Sequence, residues 1–328
     1  MTSLYLRLAL PSPLRRTFDY LPPTTNAPAT WQPGIRLRVP FGNRQIIGVL
    51  IGTSTETEVP EEKLKAVSEV LDQHPVLPAS TLQLCQWTAQ YYHHSLGDTL
   101  QWALPTLLRQ GEVDRVKAER FWRLSPTARI DDPRLARAPR QRQALSILAQ
   151  HPTGLAQRLV EPMGISSTSL NTLLEKGLVR VEERLPEPKS VTGKRLAQPE
   201  LALNAEQQIA LDACIQSLGR FQPFLLMGVT GSGKTEVYLQ LIHRVLQQNK
   251  QALVLIPEIN LSPQTLQRFQ QRFNARIVLL HSGLNDRERL DAWLAARDGH
   301  ADIVIGTRSA LFTPLARPGV IIIDEEHD

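Results

Sequence analysis

The chain has 328 residues, 37 lysines and arginines against 32 aspartates and glutamates, and 42% hydrophobic residues. That is enough for two or three domains with real cores, and no apolar run is long enough to span a bilayer. The two cysteines, Cys85 and Cys214, stand far apart, which argues against a disulfide framework or a cysteine-pair zinc site.

The net charge of +5 is uneven. Residues 1–105 carry 8 basic and 8 acidic groups, residues 106–200 carry 17 and 11, and residues 201–328 carry 12 and 13. The excess in the middle third suggests a local polyanion-binding face.

The N-terminus alternates through Leu4, Leu6, Leu8 and Leu10 and reads as a strand, not a signal peptide. A soluble cytoplasmic protein is the expectation. Residues 1–105 read as a small β-rich, barrel-like domain with an appended helix. Thr17–Tyr20 is a short β-prone run, and Ile35–Val39 alternates apolar and basic residues. Pro40-Phe-Gly-Asn43 turns the chain and Ile46–Ile51 returns it, a hairpin signature. Leu64–Leu71 reads as another strand, and a helical pattern starts at Ser80, its expected cap. His93 and His94 are adjacent, so a helix aims them apart and a metal site there is not expected.

Residues 106–137 read as a connector with some strand. Residues 138–185 have a winged-helix rhythm. Helices are expected at Gln141–Ala149, Leu155–Val160 and Ser169–Lys176, the last capped by Ser166 or Ser167, before a strand at Leu178–Val181. Residues 186–200, with Pro186, Pro188 and Pro199, read as a linker.

From residue 201 to 328 strand and helix signals alternate, as in an α/β, RecA-like P-loop lobe with a parallel sheet. Ala205–Leu218 is a helix capped by Asn204. Phe224–Met227 reads as a buried strand, and Gly228-Val-Thr-Gly-Ser-Gly-Lys234-Thr235 fits G-x-x-x-x-G-K-[ST]. Gly228, Thr230, Gly231, Ser232 and Gly233 form the loop whose N–H groups cradle phosphates, next to a helix N-terminus. Lys234 reaches the β- and γ-phosphates, and the Thr235 hydroxyl sits on Mg²⁺. Strands follow at Ala252–Ile256, Ile277–Leu280 and Ile303–Ile305, and helices at Ser262–Phe273 and Asp286–Ala296. Val320–Ile323 reads as a central strand buried on both faces, running into Asp324 and Glu325. Asp324 is expected to hold Mg²⁺ through water and Glu325 to polarise the attacking water.

These motifs resemble the first lobe of a superfamily 2 helicase. Gln207 in Leu203-Asn-Ala-Glu-Gln207 resembles the adenine-reading glutamine. Pro257-Glu258-Ile259 resembles motif Ia, Gly306-Thr307-Arg308 motif Ib, and Asp324-Glu325-Glu326-His327 a DExH motif II. Thr307 and Arg308 would grip backbone phosphates without reading bases. Together with Thr17–Tyr20, Arg38–Gly42, Leu64–Val67, Tyr91–His94, His281–Leu284 and Gly306–Pro314, they resemble the PriA family of bacterial primosomal replication-restart helicases. The resemblance covers essentially the whole chain and is weakest in residues 106–200.

It implies an ATP- and Mg²⁺-dependent 3′-to-5′ DNA helicase that recognises stalled or repaired forks and assembles a primosome. It further implies a 3′-DNA-end-binding domain at residues 1–105 with a pocket of Phe18, Asp19, Tyr20, Gly42 and Lys65. Asp19 would accept a hydrogen bond from the 3′-hydroxyl, an aromatic ring would stack on the base, and Lys65 would meet a phosphate. The implied partners are forked DNA with a nascent 3′ end, single-stranded DNA, single-stranded-DNA-binding protein and other primosome proteins, at a nucleoid-associated cytoplasmic location. The family also carries a second RecA-like lobe and cysteine-rich zinc sites whose ligands this sequence lacks. The resemblance therefore implies a truncated chain that binds DNA and, weakly, ATP without unwinding. The alternatives are a structure-specific DNA-binding module with a vestigial P-loop, or an RNA helicase.

Overall fold

The structure, a computed structural model, describes residues 4–115, 119–184, 196–229, 231–258 and 262–325. Thr230, Ile259, Glu326, His327 and most of the expected linker lie outside the described residues. The chain divides into two compact units, Met1–Asp114 with Ser190–Asp328, and Arg115–Lys189.

In the first unit, β1 (Tyr5–Ala9), β2 (Phe18–Tyr20), β3 (Arg36–Phe41), β4 (Arg44–Ser54) and β5 (Glu69–Val70) form an antiparallel sheet in the order β2-β1-β4-β3-β5. Period-2 alternation places Leu6, Leu8, Leu37, Val39 and Tyr20 in one core. Gly42, at φ 59°, takes the first position of the two-residue turn between β3 and β4, where a positive φ matches the strand twist. The expected strand over Leu64–Leu71 shrinks to β5 and a bridge, Leu21 to Ala66. The Leu21 N–H donates to Lys65 O (2.9 Å) and the Val67 N–H to Leu21 O (3.0 Å), so this bridge joins the two edges of the sheet.

Helices α1 (Ala79–Tyr91), α2 (Leu96–Ala103) and α3 (Thr106–Arg109) follow. Pro78, not Ser80, occupies the cap of α1, and no side chain caps it. Helix α2 comes so close to β1 that a Cβ on Gly97 would lie 1.5 Å from Leu10 O. Arg36, fully buried, pairs with Asp72 (2.7 and 2.8 Å) and donates to the carbonyls of Leu108 and Glu112. The first residues of the expected connector are thereby fastened to the sheet.

The second unit contains β6 (Glu119–Leu124), α4 (Pro139–Ala149), β7 (Leu155–Ala156), α5 (Gln157–Val160), α6 (Ser167–Glu175) and β8 (Val179–Arg184). Its sheet runs β7-β6-β8, antiparallel throughout. Leu145, Leu148, Leu170, Leu173 and Trp122 form its core. The Ser166 side chain caps α6 by accepting from the Ser169 N–H. The first two residues of the expected second helix are strand instead, because Leu155 and Ala156 pair with Trp122 and Phe121.

The rest of the first unit is an α/β lobe: α7 (Ala205–Gln216), α8 (Lys234–Gln247), β9 (Gln251–Leu255), α9 (Pro263–Arg272), β10 (Ile277–Leu280), α10 (Asp286–Arg297), β11 (Ile303–Gly306) and β12 (Pro318–Ile323). Its parallel sheet has the order β10-β11-β9-β12. One face packs Ala252, Val254, Ile303 and Ile305 on α8 and α9, while Leu253, Leu255 and Val304 pack against the opposite layer.

Two expectations fail here. Phe224–Met227 joins no strand, and Leu225 and Met227 are 73% and 82% exposed. β12 is an edge strand with β9 as its partner, not a central one. Val320 and Ile322 face the core, while Ile321 and Ile323 face out. An aliphatic run reads as doubly buried, but burial on both faces needs a neighbour on each side. Among the described residues β12 has one neighbour.

The β domain and the lobe are joined within this unit. The buried Trp293 Nε1–H on α10 donates to Ala103 O (2.9 Å), Arg297 pairs with Asp114 (3.1 Å), and Trp102 lies 5.8 Å from Phe312, ring centre to ring centre.

Candidate nucleotide and DNA sites

The phosphate loop ends at Gly233, which precedes α8 at φ 83°, with Gly231 at φ 81°. Both conformations are left-handed, which glycine adopts without a Cβ clash. Lys234, the first residue of α8, donates from Nζ to Gly228 O (2.5 Å) and Val229 O (3.2 Å). Its ammonium thus closes the loop on its own carbonyls, and a phosphate would exchange for them. Gln207 sits at the third position of a capping box with Asn204. Its Oε1 accepts from the Asn204 N–H (2.9 Å) and its Nε2 donates to Ser232 O (2.8 Å). The glutamine expected at the adenine therefore also ties α7 to the phosphate loop.

Asp324 follows β12, and its N–H donates to Leu255 O (2.9 Å). The Tyr238 hydroxyl donates to Asp324 Oδ2 at 3.3 Å and also engages the Thr235 side chain. Burial, with smaller contributions from Asp324, pushes the Tyr238 phenol up to about 12. Thr235 and Asp324 therefore meet at one hydroxyl, an arrangement that suits Mg²⁺ completed by phosphate oxygens. When bound, the metal supplies charge neutralisation at the phosphates. Glu325 follows at φ 53°.

Sequence reasoning missed a buried clamp behind the loop. Glu236 on α8 pairs with Arg272 on α9, and Arg272 also donates to Pro199 O. His243 lies 2.6 Å from Glu200, which Arg244 also meets. No local motif marks these pairs. Their signal is charged residues on the apolar-rich α8.

At the C-terminal edge of the sheet, Pro257 and Glu258 follow β9, and Thr307 and Arg308 follow the adjacent β11. The two loops thus lie side by side. Thr307 is buried and its N–H donates to Leu280 O, which leaves Arg308 as the exposed member of the pair.

In the β domain, β2 splits its candidates between faces. Asp19 faces out opposite Arg7 (3.4 Å) and accepts from Thr57 Oγ1 (2.7 Å). Phe18 and Tyr20 face the core. Tyr20 is buried with its hydroxyl on Pro40 O (3.0 Å), and burial raises its phenol to about 12. Its ring is therefore a core ring, not a surface for a base to stack on. Phe18 is half-buried, packs edge-on against Phe41 beside Gly42 (5.3 Å), and carries Arg16 over its ring (5.1 Å). Lys65 flanks the end of β2 through its carbonyl on Leu21 N.

Comparison with known proteins matches the β domain and the α/β lobe to two separate families. The family model for a 3′DNA-binding domain (3′BD) matches residues 7–105, and that for the res subunit of type III restriction enzymes matches residues 200–328. The replication restart protein PriA of Haemophilus influenzae is 42% identical over 98% of this chain. Those of Chlamydia pneumoniae and Bacillus subtilis are 32% and 30% identical over 99% and 95%. The chain covers 44%, 44% and 47% of these three relatives, so it spans under half of their length.

Proposed function

Because the chain belongs with the PriA replication restart proteins, matching the N-terminal portion of their length, we propose that it is the DNA-end-binding and nucleotide-binding part of a replication-restart helicase. The observation that carries this is the junction of the two bodies. Trp293 and Arg297 of the helicase-like lobe are bonded to Ala103 and Asp114 beside the 3′DNA-binding domain. A DNA end held by one body is thereby tied to a phosphate loop in the other.

In this reading the first domain holds the terminal nucleotide of a nascent strand at a stalled or repaired fork. Asp19 accepts a hydrogen bond from the 3′-hydroxyl, and Phe18, Gly42, Lys65 and the backbone around Tyr20 shape the pocket. The second unit, three helices on a small antiparallel sheet, serves as a winged-helix module on duplex DNA. Arg308 meets the single strand. The glycine loop and Lys234 bind ATP phosphates, Gln207 reads adenine, Thr235 and Asp324 hold Mg²⁺, and Glu325 orients water for hydrolysis. The complete motor moves 3′ to 5′ in the cytoplasm, at the nucleoid, with single-stranded-DNA-binding protein and other primosome proteins. This chain alone binds DNA and, weakly, ATP.

The test is to titrate the chain with forked DNA and with a fluorescent ATP analogue, then assay turnover and unwinding. The expected result is binding of both ligands without DNA-stimulated turnover. Turnover stimulated by the fork contradicts the chain-alone reading. The unpaired Phe224–Met227 segment favours a second reading, a DNA-binding module with a vestigial P-loop. Absence of nucleotide binding, with fork binding unchanged in Lys234→Ala, selects it.

A further inference from the structure

A cleft of 330 Å³ opens beside β2, away from the phosphate loop. Arg15, Arg16 and Thr17 form one wall, and Gln90, His93 and His94 at the end of α1 form the other. Both arginines are exposed, and neither has a carboxylate partner among the described residues. Two guanidiniums lining one cleft make a site where an anion is favoured.

The α1 wall is shaped toward the same ligand. The His94 N–H donates to Ala89 O (2.8 Å) and the His93 N–H to Gln90 O (3.3 Å), a Schellman closure. These bonds occupy the Ala89 and Gln90 carbonyls of the last turn. The closure puts His93 at φ 52°, a position glycine usually takes. A histidine is held there despite its conformational cost. His94 Nδ1 accepts from the Ser95 N–H (2.8 Å), so in the neutral ring the hydrogen is on Nε2, ready to donate.

The cleft also has a direction. On one side Arg16 lies over Phe18 of β2, next to Asp19. On the other His94 packs edge-on against Trp102 (5.4 Å), which packs on Phe312 in the turn Arg308–Phe312. It therefore lies between the candidate terminal-nucleotide pocket and the loop that carries Arg308.

We propose that this cleft binds a backbone phosphate of the DNA strand whose 3′ end the β2 region holds, one of the first linkages in from the terminus. Arg15 and Arg16 supply the charge, and His94 Nε2–H and Thr17 supply further donors. Binding is to phosphate, so it carries no base preference. The proposal rests on the 3′-end reading above, and the experiment keeps the two apart.

The full chain is titrated by anisotropy with forked DNA across a salt series, as wild type, Arg15→Gln/Arg16→Gln and Asp19→Ala. Uncharged methylphosphonate linkages are moved one position at a time inward from the 3′ end. The arginine variant is expected to bind roughly tenfold more weakly, with a salt slope lower by about 0.7–0.9 for each phosphate that it no longer neutralises. It should keep any preference for a free 3′-hydroxyl. One methylphosphonate position should weaken wild type and leave the arginine variant unaffected. A flat methylphosphonate profile in wild type, or an arginine variant with unchanged affinity and slope, overturns the cleft. Lack of end preference in wild type overturns the 3′-end reading. A position-specific methylphosphonate effect still present in that case would leave the cleft a phosphate site placed by the fork junction and not by a held 3′ end. The methylphosphonate scan uses wild type, so it decides even if a variant misfolds.

Discussion

The hydroxyl of Tyr238, on the helix that follows the phosphate loop, lies 3.3 Å from the Asp324 carboxylate at the end of β12. It is a physical link between the two halves of the nucleotide site. A hydrogen bond to a charged group contributes on the order of 1.5–3 kcal/mol when short, and this longer one about 1 kcal/mol. Tyr238→Phe keeps the buried ring and removes the link. Nucleotide affinity measured with Mg²⁺ and with chelator should differ less in the variant than in wild type, by roughly fivefold. An unchanged Mg²⁺ dependence would show that Tyr238 does not orient Asp324.

Asp72 has a structural role instead. Its carboxylate neutralises Arg36, which is fully buried between β3 and α3. Asp72→Asn leaves that guanidinium charge uncompensated and should cost about 3–5 kcal/mol. The denaturant midpoint of the first unit should fall accordingly. A loss below about 1 kcal/mol would mean that water reaches Arg36.

Ile321 and Ile323 leave apolar surface on an edge strand, and Leu225 and Met227 expose more in the segment before the phosphate loop, templates for association between chains. Met227→Ser with Ile323→Thr should reduce concentration-dependent light scattering and shift stability by no more than about 0.5 kcal/mol per site. A large loss of stability would show that these side chains are packed in solution.

Stability should also fall in alkali. Burial raises the Tyr20 and Tyr238 phenols from 10.0 to about 12, and the Cys85 thiol from 9.0 to about 12. In each case the folded chain keeps a proton that the unfolded chain releases, so stability falls as pH rises. The contribution is complete below about pH 8 and is lost by about pH 12. Denaturant midpoints across this window test it. Tyr238→Phe should flatten part of the decline, and an identical slope would contradict the assignment.

Much of this was legible because its causes are local. Asn204 caps the helix that the sequence assigned to it, and of the two serines offered for α6 Ser166 is the cap. The β3–β4 turn needs one glycine where Gly42 stands. What escaped depends on distant partners. Arg36 alternates with apolar neighbours and reads as solvent-facing, yet Asp72 draws it into the core. Phe121 and Trp122 show little periodicity, and β6 exists because β8, over fifty residues on, pairs with it. Tyr20 belonged to a surface motif by resemblance, but strand alternation turns its ring inward with Leu6 and Leu8. In the nucleotide site, the loop glycines and Lys234 were readable, while the Tyr238–Asp324 link joins residues 86 positions apart.

In the proposed function the β domain recognises a DNA 3′ terminus through Asp19. The direct measurement is the ratio of affinities for one fork ending in a 3′-hydroxyl and the same fork ending in a 3′-phosphate, for wild type and Asp19→Ala at fixed salt. Recognition through Asp19 gives clear preference for the hydroxyl in wild type and a ratio near one in the variant. Equal ratios in the two proteins would contradict it.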